Sequence, residues 1–497
     1  MFFWILIGYL SLLIILARVF SKKIDGLNEF FLASRNLPAW VATATFVASW
    51  IGAASTIGTI DKAFSQGLSA FWYMAIPSAL SLFVITFVFA RRVNRIQALS
   101  MPQAFEGRYG ATAGFFLSSV ILFASVTLLA SQLVAAGQLI HTAADIPVEW
   151  ATWLTLAVIV IYSVIGGFRA VVMTDVFQVA LLGLGLFILF AFGMWVGWPH
   201  MEAGVNAMIA GAVASAATHV PAEVAHEALV DPTQFWNPFV ELPKHLMITA
   251  TFILGWCIAP EMWQRMQAVA NPDDALKVGL GSIASTMLLF LAIVFTGISA
   301  VGALHHLGIT VQDGQNVLFV LAQQLPNPFL MGLVLLGGIS AVFSTIDSSI
   351  NISSLTLSHD MIQRYLWPRA TEQQLVLLSR VATVLVGIPS VAIALHFNDI
   401  IQVLWISADI YASTIFVPVV ALFYCPQAPR SCGVWAIALG LIPVVFSFIA
   451  EFTSLALPPW WPEWPYTTLL GVSMSVLGFV GAWAAEAWLS KPMTINQ

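Results

Sequence analysis

Ala48-Ser49-Trp50-Ile51-Gly52-Ala53-Ala54-Ser55-Thr56-Ile57-Gly58 lies inside an apolar run, 38–61, that is long enough to cross a bilayer. Two glycines and several small polar residues at mid-membrane point to a helix that breaks there. Unwinding frees backbone carbonyls and amides, and these are tolerated at that depth only beside a cavity or within protein. A second run, 243–263, carries Gly255-Trp256-Cys257-Ile258-Ala259-Pro260-Glu261, with glycine and proline flanking a candidate unwound turn. Each interruption taken alone is compatible with an ordinary kink, because both residue types are frequent in membrane helices. Their positions correspond, however. A five-span unit over 38–197 and an inverted twin over 243–425 would each open on its broken helix, and paired interruptions of that kind point to a transporter's substrate site.

The composition agrees with a membrane setting. Of 497 residues, 60% are hydrophobic and 8% charged, against about 25% charged in a soluble domain. Apolar runs fall near 2–20, 38–61, 70–90, 112–140, 149–166, 172–197, 243–263, 277–303, 329–358, 374–396, 400–424, 433–456 and 467–489, which is about thirteen spans. The first has no basic segment before it and no small-residue cleavage site, so it reads as a retained helix. The expected architecture is all-α and polytopic: residues 1–37 as an extra N-terminal helix and loop, the two repeats, an extracellular loop at 198–242, and 426–497 as two C-terminal helices and a tail. Cys257, Cys425 and Cys432 fit neither a disulfide framework nor a zinc spacing and read as small buried hydrophobes.

Orientation follows from the 18 lysines and arginines. With the N-terminus outside, Arg18, Lys22, Lys23, Arg35, Arg91, Arg92, Arg95, Arg108, Arg169, Arg265, Lys277, Arg364, Arg369, Arg380, Arg430 and Lys491 fall on the inner side, and only Lys62 and Lys244 on the outer. The positive-inside rule therefore gives N-terminus out and C-terminus cytoplasmic, in a plasma membrane (the inner membrane in a Gram-negative cell). Trp150, Trp198, Trp460, Trp461 and Trp464 read as an outer aromatic belt. The expected partners are a small-molecule solute and the lipid bilayer. Nothing implies a nucleic acid or an obligate protein partner.

Within 329–358, Gly337, Ser340, Ala341, Ser344, Asp347, Ser348 and Asn351 share one face, since successive helical residues turn by about 100°. Such a stripe either bonds neighbouring helices or coordinates a passing solute, and its ionisable Asp347 favours a functional site. Asp175 follows Thr174 at the cytoplasmic start of the 172–197 run. It reads either as a helix cap or as a second carboxylate for a cation. Glu261 either pairs with Arg265 four residues on or balances a cationic substrate, and Asp61 with Lys62 reads as a snorkelling pair or part of an outer gate. No nucleophile and base sit at helix-compatible spacing, so an enzyme is not expected.

Two stretches carry a family resemblance. Gly166-Gly167-Phe168-Arg169-Ala170 through Thr174-Asp175-Val176-Phe177-Gln178 resembles the signature of the sodium:solute symporters. Ser340-Ala341-Val342-Phe343-Ser344-Thr345-Ile346-Asp347-Ser348 is similar to the helix that carries that family's sodium-binding hydroxyls. The resemblance implies a leucine-transporter-like inverted-repeat fold and Na⁺ as coupling ion. It places the principal Na⁺ on Ala48, Ile51, Ala341, Ser344 and Thr345, and a second cation on Asp175, Ser344 and Ser348. Asp347 stands where members with a second site often have a hydroxyl, which leaves open Na⁺, a proton or an empty site there.

Within the family the chain looks most like the choline-transporter branch, through Thr45-Phe46-Val47-Ala48-Ser49-Trp50-Ile51-Gly52 and Leu404-Trp405-Ile406-Ser407-Ala408-Asp409. Trp50 and Trp405 would then form a partial cage for a quaternary ammonium or zwitterionic solute, with Gly52, Ser55 and Trp256 beside it. The pattern departs at Leu128 and Ala259, where that branch has further cage tryptophans. The alternatives are a Na⁺-coupled symporter of a neutral or anionic solute (amino acid, carboxylate or sugar) and a non-transporting solute sensor of the same fold.

Overall fold

Apolar segments with no water to bond their amides must satisfy them internally, so they become helices. The computed structural model describes residues 2–20, 26–219, 231–311, 316–396, 400–453, 455–462 and 464–489. Lys22, Lys23 and Lys491 of the charge count, and residues 220–230 of the long loop, lie outside them. Among the described residues the chain is helical, and the one strand-like pairing is an isolated bridge between Leu37 and Val269.

Two short apolar helices come first, α1 (Phe2–Phe20) and α2 (Ala39–Trp50). They are followed by α3 (Ala54–Asn94), α4 (Ala111–Ala144) and α5 (Val148–Val196). A bent pair, α6 (Leu242–Trp256) and α7 (Pro260–Gln267), turns by 50° at its break. The chain continues through α8 (Pro272–His306), α9 (Pro328–Leu366), α10 (Glu372–His396), α11 (Val403–Tyr424), α12 (Ser431–Thr453) and α13 (Tyr466–Leu489). Among the described residues, nine helices are long and apolar enough to cross a membrane, or up to ten with the bent pair counted as one span.

The helix α5 holds two of the apolar runs, and α3 holds the end of one and the whole of the next. Inside α3 the chain turns at Gly67, with φ of 64°. Inside α5 it turns at Gly167, with φ of 57° and ψ of −163°. That left-handed conformation favours glycine, and a Cβ there would also meet the Phe30 ring at 2.9 Å. The turn sets Asp175 into the interior on the second half of α5, where it is fully buried.

The helix α9 is the centre of the bundle, packed mainly against α5 and α4 and also touching α2. Its contact with α5 runs over Gly185 and Gly337, where an added Cβ would come within 3.1 and 3.0 Å of the facing backbone, the close approach that small residues allow between membrane helices. From the other side α1 leans on both, with Tyr9 bonded to Ser340 at 3.0 Å. Part of the long loop forms a helix, Met201–His219, whose Met201, Val205 and Ile209 pack on Val294, Ile298 and Val301 of α8.

Candidate functional site

The first interruption behaves as its sequence predicts. After Trp50 the backbone leaves the helix at Ile51, with φ of −95° and ψ of 88°. The N–H of Ala53 is then satisfied by Gln132 Oε1 of α4 at 2.9 Å. A Cβ on Gly52 would come within 2.8 Å of both Gln132 Oε1 and Thr345 Oγ1, so only glycine lets the break nest between α4 and α9.

The oxygens around this break converge. Ser344 Oγ donates to Ala48 O at 2.7 Å and lies 3.1 Å from Ala341 O. Thr345 Oγ1 lies 3.2 Å from Ala341 O and 3.5 Å from Ser49 O. Four members of the expected principal set are thus linked: Ser344 reaches Ala48 across the two helices, and Ser344 and Thr345 both bond Ala341 within α9. Ile51, the fifth, is at the break itself, its N–H bonded to Val47 O at 3.0 Å and its ψ taking the carbonyl out of the helical ladder. Carbonyls and hydroxyls in such a set are the ligands of a hard cation.

The second expected set is assembled differently. Asp175 and Ser348 are brought together, but by the guanidinium of Arg265, whose Nη2 lies 3.4 Å from Asp175 Oδ2 and 2.6 Å from Ser348 Oγ. Its Nε donates to Thr45 O at 3.1 Å and its Nη1 to Glu261 O at 3.0 Å. The Thr45 hydroxyl also donates to Asp175 Oδ2, and Ser49 Oγ is bonded to Ser348 Oγ at 2.6 Å. Arg265 is fully buried, so it is a member of this polar cluster and not one of the inner-surface charges. Burying a charge of this kind costs several kcal/mol unless it is paired and hydrogen-bonded, as it is here. Asp347 stands apart, accepting from the Tyr162 hydroxyl of α5, and its Oδ2 has no hydrogen-bond partner.

Beside the first break a cavity is lined by Trp50, Gly52, Ser55 and Trp256, together with Gln132, Phe252, Glu261 and Leu128. The space unfilled by atoms, its open part included, is about 510 Å³. Trp405 does not reach its wall. Phe252 stands between, with its ring 6.1 Å from Trp50 and 5.8 Å from Trp405, and Trp405 packs against Trp464 with ring centroids 4.7 Å apart and planes tilted by 47°. Trp464 therefore has an interior role besides any place in an aromatic belt. The expected ion pair between Glu261 and Arg265 is absent: Arg265 bonds the Glu261 backbone carbonyl, and its charge faces Asp175. Asp61 accepts from Asn316 and from Val317 N at 3.0 and 2.8 Å, which makes it a tie to the segment after α8.

Thr45, Gln132, Tyr162, Phe252 and Arg265 were not singled out by sequence as site residues. Gln132 and Tyr162 carried a usable signal, being polar groups in the middle of apolar runs.

The chain matches the family model for the sodium:solute symporter family over residues 30–440. It is 23% identical over 406 residues to the osmoregulated proline transporter OpuE of Bacillus subtilis, covering 80% of this chain and 77% of that protein. A sodium/proline symporter of Staphylococcus aureus is 25% identical over 79% of this chain and 75% of its own length. The high-affinity choline transporter 1 of Caenorhabditis elegans is 23% identical over 84% and 70%. In fold the chain is similar to a Na⁺-coupled sialic acid symporter solved in a substrate-bound outward-open state, with a TM-score of 0.73 at 16% identity over 97% of each chain. With an all-helical bundle of that fold and a family match over most of its length, the chain belongs to the sodium:solute symporter family and is an integral membrane transporter, not an enzyme.

Proposed function

We propose that the chain is a Na⁺-coupled symporter that imports a small organic solute by alternating access. The observation that supports this most is the 2.7 Å bond from Ser344 Oγ to Ala48 O, which joins the broken helix to α9 through oxygens suited to Na⁺. Na⁺, as cargo, binds between α2 and α9 on Ala48, Ile51, Ala341, Ser344 and Thr345. It draws the broken helix against α9 and readies the cavity at Trp50, Gly52, Ser55 and Trp256 for the solute. Solute binding closes the outer path, and rocking of one helix group against the other opens the inner one. The ion gradient and about 2.3 kcal/mol per charge per 100 mV of membrane potential drive the cycle.

At the second position the Arg265 guanidinium supplies the positive charge that an ion would otherwise bring to Asp175 and Ser348, and Asp347 is turned to Tyr162. We therefore assign one Na⁺ to each cycle. Counting α3 and α5 as two spans each, α2 with the start of α3 as one, and α6 with α7 as one, returns about thirteen spans. The five-span repeats then cover 38–197 and 243–425, with the N-terminus outside and the C-terminus cytoplasmic.

The test is a thermal-shift screen of amines, amino acids, carboxylates and sugars with NaCl or KCl, followed by counterflow of the stabilising solute in proteoliposomes. A solute that stabilises only with Na⁺ and exchanges across the bilayer supports the reading. Binding without exchange would make the chain a sensor instead.

A further inference from the structure

We infer that the solute carries a positively charged nitrogen bearing N–H donors, and that the Glu261 carboxylate reads it; the inference rests on the symport reading of the same cavity. Glu261 lines that cavity and is 2% exposed, yet neither of its carboxylate oxygens has a hydrogen-bond partner. The neighbouring donors are few. Tyr411 and Ser125 face it, and their hydroxyls bond each other at 3.2 Å, which takes one of their two hydrogens and leaves one for the carboxylate. Arg265, one helical turn on, spends its guanidinium on Asp175, Ser348, Thr45 and the Glu261 carbonyl. The carboxylate sits in the first turn of α7 and still accepts no bond from the helix's amides.

A buried carboxylate with so few donors and no paired cation is costly, and a ligand that brings both charge and donors removes the cost. The rest of the wall suits the same ligand. Trp50 and Trp256 flank Phe252 with ring centroids 6.1 and 6.0 Å away, and aromatic faces attract cations. A quaternary ammonium would meet the aromatic faces and the charge but would leave the carboxylate oxygens without hydrogen bonds. A protonated primary or secondary amine meets all three. The wall also lacks the further aromatic faces of a full cage, since Leu128 lines it and Trp405 stands behind Phe252.

The experiment uses the purified full chain in nanodiscs, with NaCl or KCl. Its probes are piperidine, which is protonated at neutral pH, N,N-dimethylpiperidinium and cyclohexanol. In NaCl, piperidinium is expected to bind at least about tenfold more tightly than the quaternary analogue, and cyclohexanol is expected not to compete. Glu261→Gln, which keeps the shape of the side chain, should weaken piperidinium by about tenfold or more while leaving the Na⁺-induced thermal shift intact. Equal binding of the quaternary compound, undiminished binding to Glu261→Gln, or no binding of piperidinium at millimolar concentration would each overturn the inference. Glu261-dependent binding of piperidinium that is indifferent to Na⁺ would instead uphold it and count against the symport reading.

Discussion

The two interruptions sit at corresponding places in the chain and deliver different chemistry. At the first, between α2 and α3, the break is built from Ile51 and Gly52, and what it presents is backbone oxygen, supported by the hydroxyls of Ser344 and Thr345 and by Gln132. At the second, between α6 and α7, the 50° turn before Pro260 leads into a helix that carries Glu261 and Arg265 into the interior. Neutral dipoles gather around one break and full charges around the other. The first is suited to an ion that must bind and leave. The second holds one fixed ion pair and one unpaired carboxylate.

The largest effect should come from cutting the charged break. Arg265→Gln leaves Asp175 buried without its cation, and a loss of about 3–5 kcal/mol is expected in equilibrium unfolding. Arg265→Gln combined with Asp175→Asn should recover a large part of it. Equal losses in the single and double variants would show that the pair is not what joins α7 to α5.

At the neutral break the effect falls on the ion. Ser344→Ala removes one of five proposed ligands and should raise the Na⁺ concentration for half-maximal uptake by about tenfold, or about 1.4 kcal/mol. Uptake in the unaltered chain should depend on Na⁺ with a Hill slope near one. A slope near two would return a second Na⁺ to the Asp175 position.

Smaller effects separate the tryptophans. Trp50→Ala should weaken a cationic solute by two- to thirtyfold, corresponding to about 0.5–2 kcal/mol of ring attraction. Trp405→Phe, shielded by Phe252, should change that affinity by less than about twofold. Competition binding of a labelled amine reads both, and a larger loss at Trp405 than at Trp50 would reverse their assigned places. The smallest change is expected where the two breaks are independent: Glu261→Gln should leave the half-saturating Na⁺ concentration within about twofold of the unaltered chain, measured by Na⁺-dependent thermal shift.

Both breaks and the polar face of α9 were legible in the sequence, because glycine, proline and hydroxyls in apolar surroundings are conspicuous. Asp175 was legible as a buried carboxylate candidate, but its partner was not. Arg265 lies ninety residues away in sequence and, near the end of an apolar run, looks like an ordinary inner-surface charge. Only the bend before Pro260 turns it inward. Trp405 shows the opposite difficulty: its place in the chain fits a cavity wall, but Phe252, one more aromatic in a greasy helix, comes between. Sequence spacing tells which side chains share a helix face, and leaves open which of them is in front.

Asp409 on α11 has its donors on the far side of the chain's order of synthesis. Its Oδ1 accepts from the Thr468 hydroxyl of α13 and from Trp464 Nε1 at 3.3 Å. A ribosome delivers α11 to the bilayer before α13 exists, so the carboxylate waits without either bond until Trp464 and α13 follow. Intramembrane carboxylates are costly until they find such partners. The helix α13 thereby completes a latch on the wall behind Trp405, and a nascent chain halted after α12 leaves Asp409 without these two donors.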